Sequence, residues 1–234
     1  MISVANNFDA VPIFISSGTL FAHKPLRVFF CSEFKSADVL FPSEKKLIEN
    51  CSPKRQIDFC KGRYCAHQAL EKLGRSGFAI LRDPNGAPIW PFGITGSISH
   101  SGEMAAAVVA KKAEILAIGL DLQITNQTLP FKVLTTFFHS DEIKNFLNVP
   151  DSLSELFSYA VFSAKESILK CYYTLNRSIL NLHEISVKLD WWNGTFSACI
   201  IGKHGSNVHM FCDQLIGRFG FAGDYVFSAA WLSR

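Results

Sequence analysis

Glu166 and Lys170 stand one helical turn apart in Val161-Phe162-Ser163-Ala164-Lys165-Glu166-Ser167-Ile168-Leu169-Lys170. At about 100° per residue, Phe157, Ala160, Val161, Ala164, Ile168, Cys171 and Tyr172 fall on one face, which predicts a core-packed helix. Glu166 and Lys170 point off that face and are neighbours at i, i+4 spacing. Tyr159, Phe162 and Leu169 flank them, so a carboxylate and an ammonium are held beside apolar surface. Charges placed this way are either paired structurally or functional. A second carboxylate, Asp121, ends the apolar run Ile115 to Leu122, and strand alternation puts Gln123 on its face. A strand-end Asp serves as a cap or turn residue as readily as a ligand. Third comes Gly96-Ser97-Ile98-Ser99-His100-Ser101-Gly102. Read as a loop before a strand, it would let backbone amides and one imidazole approach a phosphate.

The elements that must position these groups are readable in outline. A helix is predicted from about Pro53 to Leu73, with Ile57, Cys60, Tyr64, Ala66 and Leu70 spaced three or four apart and Gly74 as its stop. Shorter helices are expected at Ser43 and from Ser140 to Leu147. Between Glu44 and Arg75 there are eight basic residues against four acidic ones, an excess of four where the whole chain carries +3. That local surplus suits an anionic ligand of limited size. Val11 to Ile15 and Leu26 to Phe30 read as strands. Met104 to Ala110 and Ile115 to Leu122 read as an antiparallel hairpin. Ile185 to Trp191, Thr195 to Ile201, Val208 to Cys212 and Tyr225 to Trp231 complete the strands, with Asn193-Gly194 a type I′ turn signal.

Composition narrows the function classes. With 234 residues, 48% of them hydrophobic and 21 of them Phe, one body with a sizeable core is expected. A charged fraction of 18% argues against a surface built for nucleic acid, and no aromatics interleave the basic residues as a stacking platform needs. Seven scattered cysteines without a C-x-x-C pair read as thiols of a reducing compartment. No run approaches the ~18 apolar residues of a membrane span, and no signal peptide is visible, so a cytoplasmic protein is expected.

Arg55 to Arg63-Tyr64-Cys65-Ala66, Gly86-Ala87-Pro88-Ile89-Trp90-Pro91, Gly96 to Ser101, Ile118-Gly119-Leu120-Asp121-Leu122-Gln123 and Phe162 to Ser167 with Lys170 together resemble the 4′-phosphopantetheinyl transferases, in particular the siderophore-synthase, enterobactin component D type. The resemblance covers residues 53 to 123 and 157 to 172 well. It implies transfer of the phosphopantetheine arm of coenzyme A to a serine of an apo acyl or peptidyl carrier protein, with Mg²⁺ in the site and adenosine 3′,5′-bisphosphate released. Asp121 and Glu166 would be the metal ligands. Arg55, Arg63, Arg82, Ser99, His100 and Lys165 would hold coenzyme A phosphates, and Glu166 and Lys170 would be catalytic. Two departures stand out. The family commonly has Glu two residues after the Asp, where Gln123 stands, so the third ligand is an amide oxygen, a water held by it, or absent. Ala87 stands where some members have Lys. The implied fold is α+β: two similar halves with pseudo-twofold symmetry, 1–116 and 117–234, each a small antiparallel sheet on a long helix, in a monomer with the ligand between halves. The alternative is a non-catalytic relative that binds coenzyme A or a carrier protein.

Overall fold

The computed structural model describes residues 25–33, 35–126, 136–201 and 207–234. The strand expected at Val11 to Ile15 lies outside them.

The two long helices form as expected. Ser52 caps the first, its Oγ accepting from Arg55 N, and Pro53 opens it; it is α2, Pro53–Glu71, after the single-turn α1, Pro42–Lys45. Its buried residues Cys65, Ala66, Ala69 and Leu70 pack on a three-stranded antiparallel sheet. That sheet has β1 (Arg27–Cys31) and β4 (Ile94–Ser101) on either side of β5 (Met104–Lys111). A small hairpin of β2 (Leu81–Arg82) and β3 (Pro88–Ile89) stands beside it. The second long helix is α4, Asp151–Asn176, preceded by α3, Ser140–Phe146. It packs on a five-stranded antiparallel sheet ordered β6-β10-β9-β8-β7. Those strands are β6 (Ile115–Ile124), β7 (Ile185–Asp190), β8 (Thr195–Ile200), β9 (Ile216–Ala222) and β10 (Tyr225–Ser233). This is the expected α+β architecture, a sheet on a long helix in each half.

Several expectations give way to tertiary context. Met104 to Ala110 and Ile115 to Leu122 are strands but not a hairpin pair, because β5 pairs with β1 and β4 while β6 pairs with β10. Val208 to Cys212 is helical, within α5 (Asn207–Gln214), and β9 went unread because glycines interrupt its apolar pattern. The β7–β8 connection spans four residues, 191–194, and only Gly194 in it has positive φ, so it is not a type I′ turn. Asp190 orders that turn by accepting from the backbone N–H of Trp192 and Asn193.

The serine-rich segment is strand β4, not a loop, and its alternation explains its composition. Ser97, Ser99 and Ser101 all face β6, where no backbone ladder forms with β4. Ser97 Oγ donates to Leu120 O (3.5 Å), Ser99 Oγ accepts from Leu122 N (3.2 Å), and Ser101 Oγ accepts from Ile124 N (3.0 Å). Three hydroxyls at period two therefore join the two sheets where strand pairing does not.

The halves share one more device that was not legible beforehand. Glu44 sits three residues after the N-cap of α1, and Oε2 accepts from Phe41 N. Its Oε1 accepts from Ile80 N (2.8 Å) and pairs with His67 of α2 (2.9 Å). Glu142 repeats this in α3: Oε2 accepts from His139 N, Oε1 from Val187 N, and Lys165 of α4 stands 2.6 Å away. In each half a buried carboxylate ties a short helix, the long helix and a following segment together, satisfying donors that would otherwise be buried unpaired.

Candidate active site

Gly119 sets how closely α4 approaches β6. A Cβ there would lie 1.8 Å from Ser167 O and 2.6 Å from Cys171 N, so only glycine lets the helix backbone rest on the strand. That approach carries Glu166 and Lys170 to Asp121, two residues further along β6. Ser228, opposite Asp121 in the ladder, locks the helix from the next strand, its Oγ donating to Ser163 O (2.6 Å).

Asp121 is 1% exposed and receives donors from three elements. Lys170 Nζ donates to Oδ1 at 2.6 Å, Ser99 Oγ donates to Oδ1 at 3.1 Å, and Gln123 Nε2 donates to Oδ2 at 2.9 Å. Because a carboxylate only accepts, the Gln123 amide must turn its NH₂ toward Asp121. Lys170 also reaches Leu120 O (3.1 Å) and Ser99 Oγ (3.3 Å). The i, i+4 partner Glu166 is not its ion-pair partner, and no hydrogen bond or ion pair to Glu166 forms among the described residues. Burial pushes the Glu166 carboxyl above its ordinary value, Lys170 opposes that, and the Asp121 charge adds to it. Two carboxylates near enough for one charge to raise the other, one of them without a donor, offer oxygen ligands of the kind a hard divalent cation takes.

A cationic cluster adjoins this pair. Arg55 Nη1 lies 3.4 Å from His100 Nε2, and Asp58 Oδ2 lies 3.8 Å from His100 Nδ1. Burial lowers the His100 imidazole, Asp58 counters it, and Arg55 and Lys170 lower it further, so the ring stands between the arginines and the carboxylates. Arg63 and Arg82 stack on the Phe59 ring at 4.4 and 4.5 Å. Arg82 is half-buried, and burial and then Arg55 hold its guanidinium below the ordinary range.

The other expected phosphate ligands divide. Arg63 is turned inward: Nε donates to Ile80 O (2.8 Å), Nη2 to Leu81 O (3.4 Å), and burial lowers it to about 10 despite Glu44. Ser99 is 5% exposed and turned to Asp121 and β6. Lys165 is displaced from the expected role altogether. It is 0% exposed, with Nζ bonded to Glu142 and to the carbonyls of Phe137 (2.5 Å) and Leu182 (3.1 Å). The rotation of a single helix position sends Lys165 into the core while Glu166 stays half-buried in the field of Lys170 and Asp121.

Between the halves lies a cleft of about 330 Å³ bordered by Gly86, Pro88, Ile98, Leu169, Lys170 and Tyr173. The segment 83–87 that borders it connects β2 to β3.

Sequence comparison agrees with this geometry. The model of the 4′-phosphopantetheinyl transferase N-terminal domain matches residues 43–110, and that of the 4′-phosphopantetheinyl transferase superfamily matches residues 117–230. The chain belongs to the 4′-phosphopantetheinyl transferase superfamily. It is 36% identical over 162 residues to 4′-phosphopantetheinyl transferase Npt of Nocardia iowensis, covering 66% of this chain and 72% of that protein. To enterobactin synthase component D of Salmonella typhi it is 29% identical over 145 residues, 62% of this chain and 59% of that one. Among solved structures, holo-[acyl-carrier-protein] synthase of Thermotoga maritima aligns with 51% of this chain and 64% of its own, at 17% identity and a TM-score of 0.41.

Proposed function

We propose that this chain transfers the 4′-phosphopantetheine arm of coenzyme A to a serine of an apo carrier protein and releases adenosine 3′,5′-bisphosphate. The observation that carries the reading is the meeting of Asp121, Glu166 and Lys170 beside the Arg55, Arg82 and His100 cluster, in a member of this family.

In the mechanism, Arg55, Arg82 and His100 bind the phosphates of coenzyme A, with Arg63 adding positive field from beneath. Asp121 and Glu166 would hold Mg²⁺, which would supply charge neutralisation on the pyrophosphate oxygens. Glu166, raised by burial and free of donors, takes the proton of the carrier serine. The serine oxygen forms its bond to the phosphorus bearing the pantetheine arm as the bond to the bridging oxygen breaks. Lys170 supports the charge that develops on the departing adenosine phosphate. Gln123 fits better as the donor that orients Asp121 than as a third ligand, since its amide nitrogen faces the carboxylate.

We place the division of the chain near residue 116, supported by the separate family matches and by β5 and β6 lying in different sheets. All seven cysteines are free, which supports a reducing, cytoplasmic setting. No described helix is long and apolar enough to cross a membrane.

The test is release of adenosine 3′,5′-bisphosphate from coenzyme A. Release that requires Mg²⁺ and an apo carrier protein is expected. Tight coenzyme A binding with no release across a panel of carriers would favour the non-catalytic alternative.

A further inference from the structure

β8 pairs with β9 only through Thr195 and Phe196, which leaves the far part of that edge without a strand partner. Ile201 N–H donates to Glu184 O on the β7 side, so strand alternation turns the N–H of Ile200 to the open side. There α5 packs on β8, and the Cys212 sulfur accepts from Ile200 N–H. That N–H belongs to the peptide bond that Cys199 begins, and Cys199 Sγ lies 4.0 Å from Ile200 O. Two thiols from different elements therefore flank one residue. Phe211, beside Cys212, is buried and edge-on to Tyr172 of α4 at 5.2 Å, which holds α5 in place.

The two thiols differ in a way that suits sequential chemistry. Cys199 is exposed and Cys212 is half-buried, so an oxidant meets Cys199 first and a second thiol stands behind it. Among the described residues no group of three His, Cys, Asp or Glu could hold a metal ion, which leaves the chemistry of a pair. Another pair lacks the entry: Cys31 stands opposite Ala105 in the β1–β5 ladder and Cys65 donates to Ala105 O at 3.4 Å, but both are buried. We infer that Cys199 and Cys212 form a reversible oxidation site that takes a small-molecule disulfide, with Cys199 attacking, Cys212 resolving, and the resulting bond pinning α5 to β8. In the first step the Cys199 thiolate attacks one sulfur of the disulfide RSSR and expels RS⁻. In the second, the Cys212 thiolate attacks the Cys199 sulfur of the mixed disulfide and expels the other RS⁻. The two thiol protons end on the departing groups, so two protein thiols are oxidised to one disulfide while RSSR is reduced to two RSH. Burial pushes the Cys212 thiol up although Ile200 N–H opposes it. That makes Cys212 a slow leaving group when a reductant attacks the exposed Cys199 sulfur, so the bond reopens slowly.

Oxidised glutathione is the probe. Peptide mapping of the treated wild-type protein by mass spectrometry is expected to show Cys199 joined to Cys212 as the predominant link, reversed by dithiothreitol. Cys212→Ser should instead stop at a glutathione adduct on Cys199, because nothing remains to resolve it. The linked protein should melt about 5 °C above the reduced one, the scale of a stabilising cross-link in a chain of this size, and Cys199→Ser should lose that difference. An unmodified Cys199, a wild-type protein that stops at the adduct, a predominant link between other cysteines, or a linked protein that melts no higher than the reduced one would overturn the inference.

Discussion

Lys170 gives its ammonium to Asp121 at 2.6 Å and not to Glu166, its neighbour one turn back on the same helix. The pairing crosses from helix to strand, so it reports on the site and not on helix stability. It also leaves the Glu166 carboxylate open. Asp121→Ala should abolish turnover, because it removes one of the two carboxylates and strands Lys170, Ser99 and Gln123 without their acceptor. Lys170→Ala should lower kcat by about two orders of magnitude, the scale of removing one group that supports developing charge, with coenzyme A affinity less affected. Steady-state kinetics alongside calorimetry would separate the two.

Gln123 makes a distinct forecast. As an orienting donor to Asp121 Oδ2, it should tolerate Gln123→Glu only if the new carboxylate takes part in holding metal. Mn²⁺ binding followed by electron paramagnetic resonance should show Gln123→Glu equal to or tighter than wild type, and Gln123→Ala modestly weaker. A Gln123→Ala protein as impaired in Mn²⁺ binding as Asp121→Ala would make Gln123 a ligand in its own right.

Lys165 and Glu142 form a pair buried on both sides, with side chains 0% and 1% exposed. Burial raises Glu142 and lowers Lys165, and the geometry compensates with two backbone carbonyl acceptors for Lys165 and two backbone N–H donors for Glu142. Removing one partner leaves a buried uncompensated charge, so Lys165→Ala should lose about 3–5 kcal/mol of stability. Urea unfolding should show that loss, while whatever protein remains folded should bind coenzyme A normally. Intact stability combined with lost coenzyme A affinity would return Lys165 to the phosphate site.

The contrast between Lys165 and Glu166 shows where sequence reading runs out. The helix 151–176, its apolar face and the strand-end Asp121 were legible because periodicity and burial agree there. Which way adjacent positions point depends on the crossing of α4 over β6, set by Gly119 and the Ser163–Ser228 contact, and these are long-range. Ser97, Ser99 and Ser101 looked like a phosphate loop because hydroxyls usually mark turns, whereas here they stitch two sheets. Val208 to Cys212 looked like a strand because a short apolar run fits both periods. Glu44 and Glu142 were invisible because a buried carboxylate is recognised by partners far away in the chain.

Glu44 carries a pH dependence. Burial pushes its carboxyl up, but His67 and the backbone N–H groups of Ile80 and Phe41 outweigh that and hold it below its ordinary value of 4.5. A carboxylate depressed on folding contributes stability that is present above about pH 4.5 and is lost as pH falls through the lowered value. Glu44→Gln should therefore be less stable than wild type near neutrality, with the gap closing in acid. Chemical unfolding from about pH 6 down to about pH 3 would show it; a gap that stays constant with pH would contradict it.

The central claim is that Glu166 receives the serine proton in a site completed by Asp121 and Lys170. Mass spectrometry of an apo carrier protein, after incubation with coenzyme A, Mg²⁺ and either wild-type or Glu166→Gln protein, tests it most directly. The account predicts that wild type adds the phosphopantetheine mass, and that folded Glu166→Gln, still binding coenzyme A, adds it slower by orders of magnitude. Normal modification by folded, metal-saturated Glu166→Gln protein would contradict it.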